Sequence, residues 1–505
     1  MAIMRPAHSL LTLFLTALLI SSAQCGALSL PSIFADHMVL QAGASVPVWG
    51  RTQPGEKVIV RLDQDEATVT SDEEGKWKLS IALPESMGPH VLVVKSAGEE
   101  LEFQDVLIGE VWFCSGQSNM ERTVAEAKNS KEILAKADRD EIRLFHVRPH
   151  LSTEPAEDLE GEWEISSPES VKTFSSIGYL FGVDLHERLE RPVGLIEADW
   201  SSRGAESFMD YQTLTADPIL SPVLKGTDAV LGEHRRAVDL GTDPPRLPAS
   251  RATFIHNGMI APLMPFGLAG ILWYQGESNT WRAEQYRTML PALIRSWREG
   301  FERRSLPFLV VQLANWEADG KTFGDDMIAE LRDSQMTALD LANTAVVVTA
   351  DLGEGDIHPK GKGDICFRRV VAKRLADAAA SVAYGEDVVH EGPRFESLSR
   401  EGSSLRLRFD AGGQRLQVQG GDLTDFLIAG EDREFTTAEA KLDGNEILVS
   451  SPKVSEPVAV RYAWSANPNL VLTNEAGLPA YPFRTDHWPL TTKGQYIVKD
   501  NDPAN

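Results

Sequence analysis

Between residues 106 and 383 short apolar runs alternate with longer amphipathic stretches, and this alternation constrains the fold more than any other feature of the chain. Residues 106–114, 193–196, 270–274, 307–312 and 344–349 read as buried strands, whereas 175–190, 283–301 and 325–339 carry helical spacing of apolar residues. A strand followed by a helix, repeated, predicts an α/β domain: a mostly parallel sheet with helices on both faces, in three layers. On either side the pattern changes to short alternating runs separated by turn residues such as Pro54-Gly55 and Glu74-Gly75, which predicts β-sandwich-like regions. The expected division is 28–105 (β), 106–385 (α/β) and 386–497 (β), within a chain of 505 residues.

The remaining composition narrows the class. A formal net charge of −25 opposes binding to nucleic acid or to an anionic membrane surface, because phosphates would be repelled. Arg5, the apolar run 10–20 and the small residues Ser21-Ser22-Ala23 have the form of a signal peptide over 1–25, so a secreted or periplasmic protein with no membrane attachment after cleavage is expected. Beyond it no apolar stretch is long enough to span a bilayer. After cleavage the chain carries Cys114 and Cys366, for which two free thiols are expected in preference to a bridge. No cluster of His, Cys and Asp has metal-ligand spacing, so neither metal nor cofactor is expected.

Three polar motifs stand at the ends of predicted strands or in loops. Gly116-Gln117-Ser118-Asn119-Met120 follows the run 106–114, placing a serine where a strand gives way to a turn, at the edge of an α/β sheet where catalytic groups collect. Asp356-Ile357-His358-Pro359 lies on a loop before a helical stretch and supplies a base with a carboxylate. A serine hydroxyl needs a neutral imidazole to take its proton as it attacks a carbonyl carbon, and the imidazole needs an orienting partner. Asp356 is the first candidate for that partner, with Asp351 in reserve. Gln275-Gly276-Glu277-Ser278-Asn279 follows the run 270–274, and its Gln275 or Asn279 amide could donate to a developing oxyanion. Trp273, Tyr274 and Trp281 could stack on sugar rings or pack in the core.

Taken together these motifs resemble the sialate O-acetylesterase family, carbohydrate esterases of the SGNH (GDSL-like) hydrolase superfamily. The resemblance also rests on Phe34-Ala35-Asp36-His37-Met38, Gly109-Glu110-Val111-Trp112, Asn257-Gly258-Met259-Ile260-Ala261-Pro262 and Gly477-Leu478-Pro479-Ala480. It implies a secreted carbohydrate O-acetylesterase acting on an O-acetylated glycan, with Ser118 as nucleophile, His358 as base, Asp356 as orienter, and an oxyanion hole formed by Ser118, Ser202 and Gln275. It further implies that Asn119, Arg203, Asn257, Glu277 and Asn279 lie around the substrate. One block departs from the family: Trp200-Ser201-Ser202-Arg203 stands where Trp-Gly-Gly-Thr is usual. A serine N–H can donate as a glycine N–H does if the backbone angle is open to a residue with a Cβ. Two other readings compete, a carbohydrate-binding protein without catalysis and a glycoside hydrolase, which needs two facing carboxylates and no serine. Both would leave the Ser118 and His358 motifs without a role.

Overall fold

The computed structural model describes residues 27–317, 324–361, 363 and 365–497. The signal segment 1–25 and its Cys25 lie outside the described residues. The central sheet runs, in spatial order, Thr344–Val347, Phe308–Val311, Gly270–Tyr274, Glu99–Gly116, Val193–Asp199, Arg139–His146 and Trp163–Ser166. All neighbours pair in parallel except the last, which is antiparallel.

The strand Glu99–Gly116 organises the molecule. Its first residues alternate between exposed and half-buried, while everything from Val106 onward is buried. The sequence dictates this: Glu-Glu-Leu-Glu-Phe-Gln-Asp alternates polar and apolar and suits a sheet with one wet face, whereas Val-Leu-Ile-Gly-Glu-Val-Trp-Phe-Cys suits a strand covered on both sides. The first half pairs antiparallel with His90–Ser96 in the N-terminal β region, and the second half is the middle strand of the parallel sheet. One strand therefore runs straight through the boundary expected at 105. Successive side chains face opposite layers. Trp112 packs edge-on to Phe181 of helix Ser176–Leu189, and Phe113 packs on Trp297 of helix Ala283–Gly300. Helix Phe367–Val382 lies beside the first of these helices and Asp325–Gln335 beside the second, completing the three layers.

After Glu99–Gly116 the chain first places Arg139–His146 two positions out on one side, then inserts Val193–Asp199 between it and the middle strand, and then crosses to the other side with Gly270–Tyr274. The order reverses at the middle strand, and in such sheets ligands bind at the carboxyl ends of the strands beside the reversal. Ser118 follows that strand directly.

The N-terminal strands Ser45–Arg51, Lys57–Leu62, Lys76–Ala82 and His90–Ser96 lie within the β region expected over 28–105. The C-terminal region forms antiparallel sheets, including Arg394–Glu401, Ser404–Asp410, Glu446–Ser450 and Glu439–Asp443 in that order. It is anchored to the α/β core by polar contacts: Tyr481 donates to the Val346 carbonyl, and buried Arg332 donates to the carbonyls of Leu313, Ala314, Ser465 and Ala466. Strands Arg139–His146 and Trp163–Ser166 and helix Leu224–Asp239 were not expected. The helix expected over 325–339 tightens to 3₁₀ geometry at Met336–Asp340. Cys114 and Cys366 are free thiols, with Cys366 donating to Asn129. Among the described residues no helix is long and apolar enough to cross a membrane.

Candidate active site

The turn after the middle strand is shaped by backbone. Gly116 adopts φ +145°, and a Cβ there would lie 2.1 Å from the Tyr274 carbonyl oxygen, so the position admits only glycine without rearrangement. Gln117 N–H donates to the Tyr274 carbonyl and Trp200 N–H to the Gly116 carbonyl, locking the turn between the ends of both neighbouring strands. Ser118 then opens the short helix Ser118–Glu121. The far loop meets it there: His358 Nε2 lies 2.9 Å from Ser118 Oγ, across 240 residues of sequence.

The other side of the ring differs from expectation. Asp356 Oδ1 accepts the backbone N–H of His358 at 2.9 Å, an Asx-type turn, and does not bond to the ring. The group that faces Nδ1 is Arg122, whose Nη2 lies 3.3 Å away. Arg122 stands at the end of the nucleophile helix and pairs with Glu126. A guanidinium only donates, so in this contact Nδ1 takes the acceptor role, while Ser118 Oγ on the other side of the ring can either donate or accept. Burial and the neighbouring Arg122 charge hold the His358 pKa below its ordinary value, favouring the neutral ring. The reserve candidate Asp351 forms a two-pronged ion pair with Arg374 instead.

Gln275, expected as an oxyanion donor, sits among polar partners of its own. It is fully buried, and its amide nitrogen is engaged by Gln117 Oε1, the Arg203 carbonyl and Asn279 Oδ1. These contacts brace the turn behind the nucleophile, while Gln275 Oε1 has no partner among the described residues. Most of the residues expected against substrate are likewise committed. Asn119 donates to Glu277 and to the Ile357 carbonyl, tying the nucleophile helix to the histidine loop. Asn279 accepts from Ala205 N–H and donates to Glu206, which in turn pairs with buried Arg282. Asn257 donates to the Ser152 carbonyl. Arg203 folds back so that Nη1 donates to the Ser202 carbonyl. Trp273 and Tyr274 are core residues with no exposed surface.

The departure at Ser201-Ser202 is accommodated. Ser202 takes φ +57°, the left-handed region that the usual glycine enters freely. Ser201 Oγ donates to Glu121, fixing this loop to the nucleophile helix. The backbone N–H groups of Ser118 and Ser202 have no partner among the described residues.

Two buried carboxyl sites lie behind the turn. Glu277 accepts from Asn119 through Oε1 while its Oε2 has no partner, and burial pushes its pKa up to about 7. Glu197 and Asp199, on the strand beside the nucleophile strand, are both raised by burial, Glu197 to about 8. Glu197 accepts from Ser175 N–H, and Ser175 Oγ donates to the Met120 carbonyl, so this carboxyl supports the nucleophile helix from below.

A three-layer α/β fold with a serine and a histidine in contact at the carboxyl edge of its sheet is the layout of a hydrolase. Residues 254–381 match the family described as carbohydrate esterase, sialic acid-specific acetylesterase. The chain is 30% identical to the sialate O-acetylesterase of Homo sapiens, over 86% of this chain and 87% of that protein, and 31% identical to that of Mus musculus, over 89% and 92%. The crystal structure of a carbohydrate acetylesterase from Xanthomonas citri superposes with a TM-score of 0.80 at 38% identity, covering 92% of this chain and all of that one. The chain belongs to the sialate O-acetylesterase family and is a carboxylic-ester hydrolase.

Proposed function

We propose that the protein removes acetyl groups from sugar hydroxyls through an acyl-enzyme on Ser118, with His358 as general base and acid. The observation that carries this reading is the 2.9 Å contact between Ser118 Oγ and His358 Nε2 at the carboxyl edge of the parallel sheet. In the productive state the ring proton sits on Nδ1, Nε2 is free to take the serine proton, and the Asp356 carboxylate orients the ring. Asp356 is exposed and already bound to the His358 backbone, so a side-chain rotation is the movement required. The backbone N–H groups of Ser118 and Ser202 form the oxyanion hole, a role for which backbone donors need no particular side chain. Relatives bearing the names sialate O-acetylesterase and carbohydrate acetylesterase support an acetylated sugar as substrate. The signal-like segment 1–25 supports secretion or export to a periplasm.

Acetate release should be measured on acetylated xylan, xyloglucan, pectin and acetyl-sialosides. Release from at least one, lost in Ser118→Ala, is the expected result. No release from any of them by folded wild-type protein overturns the assignment of substrate class.

A further inference from the structure

The strands Ser45–Arg51 and Lys76–Ala82 pair with each other as an antiparallel ribbon. Alternation along both strands gives the ribbon two unlike faces. Val46, Val48, Trp77 and Ile81 are buried on the inner one. The other carries Pro47 opposite Ser80, Trp49 opposite Lys78 and Arg51 opposite Lys76. This second face borders a groove, about 510 Å³ at its Arg51 end and about 400 Å³ at its Pro47 end, and both parts are lined by Lys78 and Pro265. Glu157, Pro262 and Met264 of the α/β region line it as well. Strand Ser45–Arg51 has 7 residues, about 23 Å of extended chain, so the groove suits a long, linear ligand. No residue lining it belongs to the nucleophile turn, the histidine loop or the contacts of Gln275.

The chemistry of the lining identifies the ligand. Trp49 is partly buried, and its ring is held edge-on by Phe34 at 4.8 Å and Phe266 at 6.5 Å, which makes it a rigid aromatic wall. Around it stand charged side chains that cancel. Arg51 and Lys76 pair with Glu157, and Lys78 pairs with Glu302. Asp158 accepts from Ser32, and Asp72 from the backbone of Glu74 and Lys76. The two parts of the groove together hold four cationic and four anionic side chains, so an acidic ligand gains nothing there and is repelled by the protein's net charge of −25. The lysines keep donors to spare, since an ammonium has three and both side chains are more than two-fifths exposed. An aromatic wall for an apolar ring face, ringed by donors and acceptors for hydroxyls and with no net charge, is what a neutral sugar requires.

We propose that this groove is a second, non-catalytic site that holds a neutral, linear polysaccharide by several consecutive sugar units, and so keeps an acetylated chain close to Ser118. The inference rests on the acetylated-sugar reading of the active site. One continuous segment connects the two places: Thr253 N–H donates to the Glu206 carbonyl, just beyond the Ser202 loop, and the chain then passes through the turn His256–Ile260 to Pro262 and Met264 in the groove. A tether of this kind raises the local concentration of a long substrate and does nothing for a small one.

Binding can be read from the indole N–H signals of the full chain labelled with nitrogen at tryptophan, with Trp49→Phe assigning the one that matters. Unacetylated xylohexaose or a xyloglucan heptasaccharide should shift the Trp49 signal saturably, and hexagalacturonate, an acidic chain, should leave it in place. No shift with either neutral oligosaccharide, or an equal response to hexagalacturonate, overturns the proposal. In kinetics, Trp49→Ala should raise KM for an acetylated polysaccharide by about tenfold, the scale of one aromatic contact, with kcat and the turnover of a small aryl acetate unchanged. Lys78→Ala, an exposed change that spares the core, should raise the same KM severalfold and decides the matter if Trp49→Ala does not fold. An unchanged KM for the polymer in folded Lys78→Ala counts against the tether. The binding arm uses sugars without acetyl groups and needs no turnover, so it stands even if the esterase reading fails, while full esterase activity with no Trp49 shift removes the groove alone.

Discussion

Replacing Glu277 with glutamine should remove a pH-dependent cost from the folded state. Glu277 is 4% exposed, with one carboxyl oxygen bound to Asn119 and the other without a partner, and burial moves its pKa from an ordinary 4.5 to about 7. Each pH unit of such displacement is worth about 1.4 kcal/mol, so the ionised carboxylate costs the fold about 3 kcal/mol. The sign follows from proton linkage. Below pH 4.5 the group is protonated in both folded and unfolded chains and costs nothing. Between 4.5 and about 7 the folded state holds the proton while the unfolded state has lost it, so stability falls as pH rises, and above 7 the full cost is present. A glutamine side chain keeps the acceptor for Asn119 and carries no charge to bury. For 505 residues the unfolding entropy is about 1 kcal/mol/K, so the melting temperature of Glu277→Gln relative to wild type should rise by about 3 °C between pH 4.5 and pH 8. Glu197 and Asp199 also titrate abnormally, but they do so in both proteins and cancel in the difference. Scanning calorimetry of the two proteins across that range is the assay. A melting-temperature difference that does not change with pH refutes the reasoning, because the charge would then not be buried as the structure has it.

Gln275→Ala should act first on stability, lowering it by about 1–3 kcal/mol through the acceptors it leaves unsatisfied, with activity falling as the turn loosens; an unchanged melting temperature with a large drop in kcat would restore Gln275 as an oxyanion donor. Ser202→Gly keeps the backbone donor and relieves the left-handed strain at φ +57°, so it should melt slightly higher and turn over within about tenfold of wild type; a severe kinetic loss would mean that the hydroxyl takes part. Gly116→Ala should abolish folding or activity, since its Cβ would overlap the Tyr274 carbonyl, and a well-folded active variant would show that the turn can relax. Activity should survive exhaustive chelation, because the proposed oxyanion donors are N–H groups; loss restored by a divalent ion would contradict that.

How far the sequence led differs between elements. The middle strand, the strand Gly270–Tyr274 and the meeting of Ser118 with the His358 loop were legible because each follows from a strong local signal: a continuous apolar run, or a small polar motif at its end. Strand Arg139–His146 was obscured by its charged start, Arg-Asp-Glu, which precedes the buried segment from Ile142 to Phe145. The roles of Gln275, Asn119 and Asn279 could not be read, since a buried amide and a substrate-facing amide are the same residue in sequence and only packing separates them. The Asp356 turn, by contrast, had a signal that was available. An aspartate two residues before a backbone N–H is the ordinary Asx-turn spacing, and it competes with bonding to the ring. Arg122 carried no motif, and its contact with His358 is set by where one short helix ends.

The most direct measurement is acetate release by wild type and Ser118→Ala on an acetylated sugar that the wild type cleaves, with circular dichroism confirming that both are folded. If Ser118 carries the acyl group, its replacement should lower kcat by at least about a thousandfold. Near wild-type turnover in folded Ser118→Ala would contradict the account at its centre, whatever the neighbouring residues proved to do.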